Sequence, residues 1–151
     1  EAEIKLDNLS KCLEEAYLLY FNTRKDINLN LIKPENDIYF HFDTLQISRC
    51  FNNLIKNAIE AVEKIPNPAV EVLMITDAKN IKIEIKDNGV GIDEKMLSKI
   101  FEPYFTTKTK GTGLGLSIVK RIIEDHGGKI KIEKNKNMAG TTSLINFEYN
   151  V

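Results

Sequence analysis

The amino-acid sequence predicts an α+β fold, a two-layer α/β sandwich in which helices cover one face of a mixed, mostly antiparallel sheet. Segments with alternating apolar residues outnumber segments with apolar residues at helical spacing. Most neighbouring strand segments are joined by connections short enough for antiparallel pairing. A chain of 151 residues with 42% hydrophobic content can form one core but is too short for two ordinary domains. We therefore predict a single domain over residues 1–151.

The first elements are a helix and two strands. Apolar residues at helical spacing predict an amphipathic helix over residues 7–19, with Asp7 or Ser10 as its N-cap. Alternating apolar residues then predict a strand over residues 27–31 and a second over residues 38–42. Because only a short turn separates these strands, we expect them to pair as a hairpin.

Capping and turn signals predict the later elements. Asp43 and Gln46 fit a capping box for a second helix, and Pro66 forbids that helix from continuing. Gly127 follows a third helical segment at the position where a left-handed cap residue is expected. The remaining predicted segments are strands over residues 70–75, 81–86, 129–133 and 141–149, a helix over residues 117–126 and a solvated turn over residues 134–137.

Composition excludes several classes of protein. The 21 basic and 22 acidic residues give a net charge of −1, so we expect no nucleic-acid partner and no cationic membrane-binding face. No run of about 18 apolar residues occurs, and we expect no direct membrane contact by this segment. Cys12 and Cys50 lack the spacing of metal ligands, which favours buried free thiols in a reducing compartment.

Two asparagines on the second helix are candidate metal ligands. Asn53 and Asn57 lie four residues apart and therefore project from the same helix face. Amide oxygens are hard, neutral ligands suited to Mg²⁺, which takes its other ligands from water and substrate phosphates. Taken alone, such a pair is also typical of a solvated helix face.

A carboxylate on a glycine turn is the second candidate feature. Asp87 ends a predicted strand and is followed by Gly89, Gly91 and Ile92. A carboxylate at this point can accept a hydrogen bond from an exocyclic amine of a base. The glycines allow backbone to approach the base closely and allow positive φ in the turn. An Asp-Asn-Gly sequence after a strand is, on its own, typical of a simple turn.

A polar, cationic segment follows two phenylalanines. We expect Phe101 to be a core anchor, with Phe105 at the exit of the same short helix. Thr106, Thr107 and Lys108 have little to bury and much to offer a triphosphate. Loops of this kind close over a substrate and exclude water. Lys108 is our candidate contact to the γ-phosphate and our single catalytic candidate.

A glycine-rich loop then leads into the third helix. Its glycines allow close backbone approach, and free amides at a helix start favour anionic oxygens. The pattern is neither the dinucleotide fingerprint nor a Walker motif. The residues of this loop that we expect to contact phosphate or anchor the loop are Gly111, Thr112, Gly113, Leu114, Gly115 and Leu116.

Residues 53–58, 87–92, 101–108 and 111–116, in this order, resemble the ATP-binding catalytic domain of sensor histidine kinases, in the superfamily shared with gyrase, Hsp90 and MutL. The resemblance covers nearly the whole chain. It implies a Bergerat-type ATP-binding fold with ATP and Mg²⁺ as cofactors. The ATP-binding residues that it implies are Asn53, Asn57, Asp87, Gly89, Gly91, Ile92, Phe105, Thr106, Thr107, Lys108, Gly111, Thr112, Gly113, Leu114, Gly115 and Leu116. In that family the residue matching Asn57 binds the metal, and the residue matching Asp87 selects adenine. The lid and the second helix resemble kinases of the nitrogen-regulation type.

One departure within the superfamily bears on the reaction. Gyrase-like and Hsp90-like ATPases have a catalytic glutamate where this chain has Asn53, and an amide cannot accept a proton from water at neutral pH. Phosphoacceptor histidines of these kinases are followed by an acidic residue. His41 and His126 are followed by Phe42 and Gly127 instead. The resemblance therefore implies transfer of the γ-phosphoryl to a histidine outside this chain.

The same resemblance implies the partners and the location. We expect the acceptor on a dimerisation and histidine phosphotransfer domain of the same full-length protein, and a response regulator downstream. The domain is expected to be cytoplasmic, within a kinase of a type that is often membrane-anchored. Two alternatives remain open: a related serine kinase or ATPase of the superfamily, such as an anti-sigma factor, and a nucleotide-sensing module without phosphoryl transfer.

Overall fold

The computed structural model describes residues 2–105 and 115–149, which form four helices and seven strands. The elements are β1 (Lys5–Asn8), α1 (Leu9–Phe21), β2 (Asn28–Ile32), β3 (Tyr39–Phe42), α2 (Thr44–Val62), β4 (Ala69–Thr76), β5 (Asn80–Asp87), α3 (Glu94–Leu97), α4 (Gly115–Asp125), β6 (Lys129–Lys134) and β7 (Thr141–Glu148).

A five-stranded sheet with the order β2-β4-β5-β7-β6 forms one layer. The β2–β4 pair is parallel, and the other three pairs are antiparallel. A separate antiparallel pair joins β1 to β3. The predicted α+β class and the mixed, mostly antiparallel sheet are therefore confirmed.

The core lies between the sheet and its helices. Val72, Ile83 and Ile145 are fully or almost fully buried on three adjacent strands, and α2 packs over this side of the sheet. Leu73 and Glu84, which alternate with them, are only half-buried. Since α2 also contacts α1 and α4, it is the central helix of the helical layer. The residues of α2 buried in this core are Ile47, Cys50, Phe51, Leu54, Ile55, Ala58, Ile59 and Val62.

The predicted cap Gly127 and the Asp43 half of the predicted capping box are present. The Gln46 half of the box does not form, because the Gln46 Oε1 has no hydrogen-bond partner among the described residues and the Asp43 N–H donates to His126. The Asp43 carboxylate accepts from the Gln46 N–H at 3.0 Å at the start of α2, and Gly127, with φ of 74°, follows α4. The predicted start of α1 at Asp7 or Ser10 is wrong. Asn8 caps the helix by accepting from the Lys11 N–H at 2.9 Å, because the residues before it pair with β3 as strand β1.

The expected hairpin between β2 and β3 does not form. Strand β2 runs parallel to β4, with α2 in the connection between them, and β3 pairs with β1. Alternation shows that one face of a strand is buried but does not specify its partner. A helical connection such as the one through α2 is what parallel pairing requires.

The prediction that Phe101 anchors the core is also wrong. Ile100 is the buried residue at this point, with 3% of its surface exposed, whereas Phe101 is half-buried. The Lys120 ammonium lies 5.3 Å from the centre of the Phe101 ring. Phe101 therefore contacts α4 through a cation–π interaction with Lys120, since a half-exposed ring face still attracts a cation.

Candidate nucleotide-binding site

One stripe of α2 carries the two candidate metal ligands. The Asn57 Nδ2 donates to the Asn53 Oδ1 at 3.1 Å, so both amides lie on the same helix face as predicted. This bond turns the Asn57 Nδ2 toward Asn53 and its Oδ1 to the opposite side of the amide. Ala61 continues the stripe four residues further along α2. The stripe from Asn53 to Ala61 spans about 12 Å at 1.5 Å per residue.

Gly115 lies against the first end of this stripe. A Cβ on Gly115 would be 2.7 Å from the Asn53 Nδ2, so only a glycine permits this approach without displacing the amide. Gly115 is also the first residue of α4, and helix N-termini favour anions. Leu116 follows it and is half-buried against the core, as expected for an anchor.

The turn after β5 lies against the other end of the stripe. The Val90 N–H donates to the Ala61 carbonyl at 3.3 Å. A Cβ on Gly89 would lie 2.3 Å from that same carbonyl oxygen, so the contact requires glycine. The helix carrying Asn57 and the turn that follows Asp87 are thus joined through backbone, which holds these two candidate residues on one surface.

Asp87 is the buried carboxylate of the site, with 6% of its surface exposed. Its Oδ1 accepts from the Gly89 N–H at 2.9 Å and from the Thr141 N–H at 3.3 Å. Over residues 2–105 and 115–149, no protein donor reaches its Oδ2. One carboxylate oxygen is therefore used to fix the side chain, and the second can accept from a ligand.

Burial raises the pKa of the Asp87 carboxyl above its ordinary value of 3.8, against the opposing effect of the Gly89 and Thr141 N–H groups. A carboxyl with a raised pKa in the folded state stabilises the fold most below its unfolded pKa. That contribution is lost as pH rises through the folded pKa. At neutral pH, the charge of Asp87 therefore costs stability.

Replacement of Asp87 by asparagine, its neutral isostere, should remove the loss of stability that the buried charge causes. We expect the melting temperature of Asp87→Asn, relative to that of the wild type at the same pH, to increase as pH is raised from about 4 to about 7. The asparagine oxygen can still accept from Gly89 and Thr141. Thermal unfolding followed by circular dichroism measures the difference. Asp125→Asn, which changes an exposed carboxylate on α4, is the matched control. A difference for Asp87→Asn that does not change with pH would contradict the expectation.

Gly91 and Ile92 lie beyond the stripe. Gly91 has φ of 77°, as predicted for this turn. Both residues line a cleft of about 410 Å³ between the loop at 90–94 and the turn at 134–140. Phe105 is half-buried at the last described position before the glycine-rich loop. The other predicted site residues, Thr106, Thr107, Lys108, Gly111, Thr112, Gly113 and Leu114, fall outside the residues that the structure describes.

Two residues at the site were missed by the sequence interpretation. Thr141 supplies the second N–H to Asp87, although its sequence signal was only that of a strand start. The sequence predicts a solvated turn at Asn135, and this prediction is wrong for its side chain. The residue is half-buried, and its Nδ2 donates to the main-chain carbonyl of Asp87 at 2.7 Å.

The two histidines lie on β3 and directly after α4. His41 is exposed on β3, opposite Leu6 of β1. His126 is half-buried after α4, where its Nε2 accepts from the Asp43 N–H at 3.0 Å and its Nδ1 lies 2.7 Å from the Ile122 carbonyl. These contacts give His126 a structural role in joining α4 to the start of α2.

Known proteins are similar to this chain in sequence. A family model described as histidine kinase-, DNA gyrase B- and HSP90-like ATPase matches residues 42–150. Sporulation kinase A of Bacillus subtilis is 37% identical over 143 residues, which are 93% of this chain and 23% of that kinase. A putative NtrY-like sensor histidine kinase of Rickettsia bellii is 41% identical over 82% of this chain and 21% of its own length. The chain spans about a quarter of the length of such relatives.

Solved structures agree with these matches. The nucleotide-free catalytic domain of histidine kinase ThkA superposes with a TM-score of 0.86 at 34% identity, covering 97% of this chain and 95% of that domain. ThkA in complex with the response regulator TrrA superposes with a TM-score of 0.82 at 29% identity, covering 42% of the ThkA chain. No helix among the described residues is both long and apolar enough to cross a membrane.

Proposed function

This chain belongs to the family of histidine kinase-, DNA gyrase B- and HSP90-like ATPases, as the catalytic domain of a sensor histidine kinase, and from that membership we propose that residues 1–151 act as one domain that binds Mg-ATP and donates the γ-phosphoryl to a histidine on a separate dimerisation domain. Nucleotide binding follows from the family. The metal, the site residues, the acceptor and the partners are our proposals.

The observation that carries the proposal is the stripe on α2 and what lies at its two ends. Gly115, at the start of α4, contacts Asn53 at one end. The turn that follows Asp87 contacts Ala61 at the other end. One end thus offers helix-start amides for phosphate oxygens, and the other offers a carboxylate for the base. A nucleoside triphosphate lying along the stripe would meet both.

The donors fit the two groups that they would hold. Asp87 is a buried carboxylate whose Oδ2 can accept from the 6-amino group of adenine. Asn57 has a hard amide oxygen, oriented by its bond to Asn53, which suits Mg²⁺ bound together with a triphosphate. Bound Mg²⁺ would neutralise phosphate charge during transfer. Thr106, Thr107, Lys108 and the glycine-rich loop are proposed to complete the site around the phosphates.

Asn53, at the end of the stripe where the phosphates are proposed to bind, favours phosphoryl transfer over hydrolysis. Asn53 contacts Gly115 and Asn57 at the position where the hydrolysing relatives have a glutamate. Its amide cannot accept a proton from water, so the chain lacks that route to an activated nucleophile. The structural role of His126 and the position of His41 on β3 support an acceptor outside this chain.

The partners of the whole protein follow from the same reasoning. The chain spans about a quarter of its multidomain relatives, and a solved relative binds a response regulator. We propose that the acceptor domain lies in the same full-length kinase and that a response regulator receives the phosphoryl group from it. The domain is proposed to act in the cytoplasm.

Phosphoryl transfer to a supplied acceptor tests this proposal. We expect the purified domain with ATP labelled at the γ-phosphate and Mg²⁺ to label the dimerisation domain of its own kinase, while releasing little free phosphate without that partner. Asp87→Ala should abolish labelling. Rapid phosphate release without an acceptor would instead indicate an ATPase, and labelling of a serine would indicate a serine kinase. Nucleotide binding without either reaction would indicate a sensing module.

A further inference from the structure

The turn between β6 and β7 holds a polar side chain that faces inward. Lys134, Lys136 and Asn137 are exposed, whereas Asn135 is half-buried. Its main-chain N–H donates to the Gly140 carbonyl at 3.0 Å, which closes the turn. The side chain of Asn135 is therefore directed toward the sheet rather than toward solvent.

Three hydrogen bonds use the whole Asn135 carboxamide. Its Nδ2 donates to the Asp87 carbonyl at 2.7 Å and to the Ala139 carbonyl at 3.0 Å. Its Oδ1 accepts from the Thr142 hydroxyl at 2.5 Å. Because a carboxamide has two N–H donors and one carbonyl acceptor, each group has a partner. An aspartate of the same shape would instead place carboxylate oxygen against two carbonyl oxygens.

These bonds act on Asp87 at the point where β5 stops pairing with β7. The pairing of β5 with β7 ends at Lys86 and Thr142. Beyond it, the Thr141 N–H turns to the Asp87 carboxylate, and the Asp87 carbonyl accepts from Asn135. Gly140, with φ of 104°, packs so close that a Cβ there would lie 2.0 Å from the Asp87 carbonyl oxygen. On the side of β7, Asn135 therefore holds the Asp87 main chain in place of the strand pairing, while the other side still pairs with Val70 of β4.

We propose that Asn135 is a positioning residue that sets the preference of the site for a 6-aminopurine, by holding the main chain from which the Asp87 carboxylate reaches the base. This inference rests on the proposed function, because Asp87 must read the exocyclic amine for the position of its backbone to matter. A hydrogen bond to that amine tolerates little displacement of the acceptor. A shift of Asp87 should therefore weaken binding of ligands with the amine more than binding of ligands without it.

The test compares ATP with purine riboside triphosphate, which lacks the 6-amino group. Dissociation constants are measured by calorimetry with Mg²⁺ for the wild type, Asn135→Asp and Thr142→Val. We expect the preference for ATP to fall about tenfold in Asn135→Asp, the factor that corresponds to loss of one hydrogen bond of about 1.4 kcal/mol. Thr142→Val, which removes only the hydroxyl that orients Asn135, should lower the preference about threefold.

Asn137→Asp is the matched control, because it makes the same chemical change at an exposed position of the same turn. It should leave the preference unchanged. A merely structural role of Asn135 would weaken both nucleotides equally, and an unchanged ratio in both test variants would overturn the inference. If Asn135→Asp fails to fold, the ratio for Thr142→Val decides. If the wild type prefers ATP and the variants keep that preference, only the role of Asn135 is refuted. If the wild type binds neither nucleotide, the proposed function is refuted as well.

Discussion

Replacement of Asp87 by alanine is expected to weaken ATP binding at least about a hundredfold. The expected loss combines a charge-assisted hydrogen bond to the 6-amino group, of about 3 kcal/mol, with the mismatch left in a site built around that bond. Asp87 is buried, and the Gly89 and Thr141 N–H groups fix its side chain. Calorimetry with Mg-ATP measures the loss directly.

Two comparisons separate loss of recognition from loss of fold. Asp87→Ala leaves the Gly89 and Thr141 N–H groups without their acceptor, so its melting temperature must be measured together with its affinity. Asp87→Asn keeps an acceptor for both groups but presents an amide to the base, and we expect it to lose ATP binding while remaining folded. Asp125→Ala should retain wild-type affinity. An Asp87→Asn protein that binds ATP as tightly as the wild type would remove Asp87 from the site.

Local signals predicted the elements well because they depend on few neighbouring residues. The Asp43 cap, the left-handed residue Gly127 and the alternation in β5 each act within a few positions, and all are present. Strand partners depend on the rest of the molecule. The start of α1 was misplaced because β1 is a four-residue strand whose pairing with β3 is not visible in its own sequence.

The site shows the same division between local and distant determinants. Asn53 and Asn57 could be paired from their spacing on one helix, and the structure confirms their common face. The contact of Asn135 with Asp87 joins residues 48 positions apart through a side chain. A Lys-Asn-Lys-Asn sequence is typical of a solvated turn, and its composition does not reveal which of its asparagines is directed inward. That inward orientation follows only from the close approach of Gly140 to the end of β5.

Asn57→Ala is expected to have the second-largest effect, and the effect should depend on magnesium. The amide oxygen of Asn57 lies on the helix face where the triphosphate is proposed to bind, and its Nδ2 is held by Asn53. Loss of a metal ligand removes an interaction that exists only when Mg²⁺ is present. We expect affinity for Mg-ATP to fall about tenfold, a change of about 1.4 kcal/mol, and affinity for ATP in excess chelator to fall less than about threefold.

The comparison requires a control that changes the same residue type on the same helix. Asn52 lies next to Asn53 but projects at a different angle, and its Oδ1 is buried with no hydrogen-bond partner among the described residues. Asn52→Ala should therefore leave both affinities close to those of the wild type. Equal losses with and without Mg²⁺ in Asn57→Ala would show that Asn57 supports the nucleotide or the helix rather than the metal. A loss that is clearly larger for the magnesium complex assigns the metal to this amide, because Asn53 would remain present to contact phosphate in either condition.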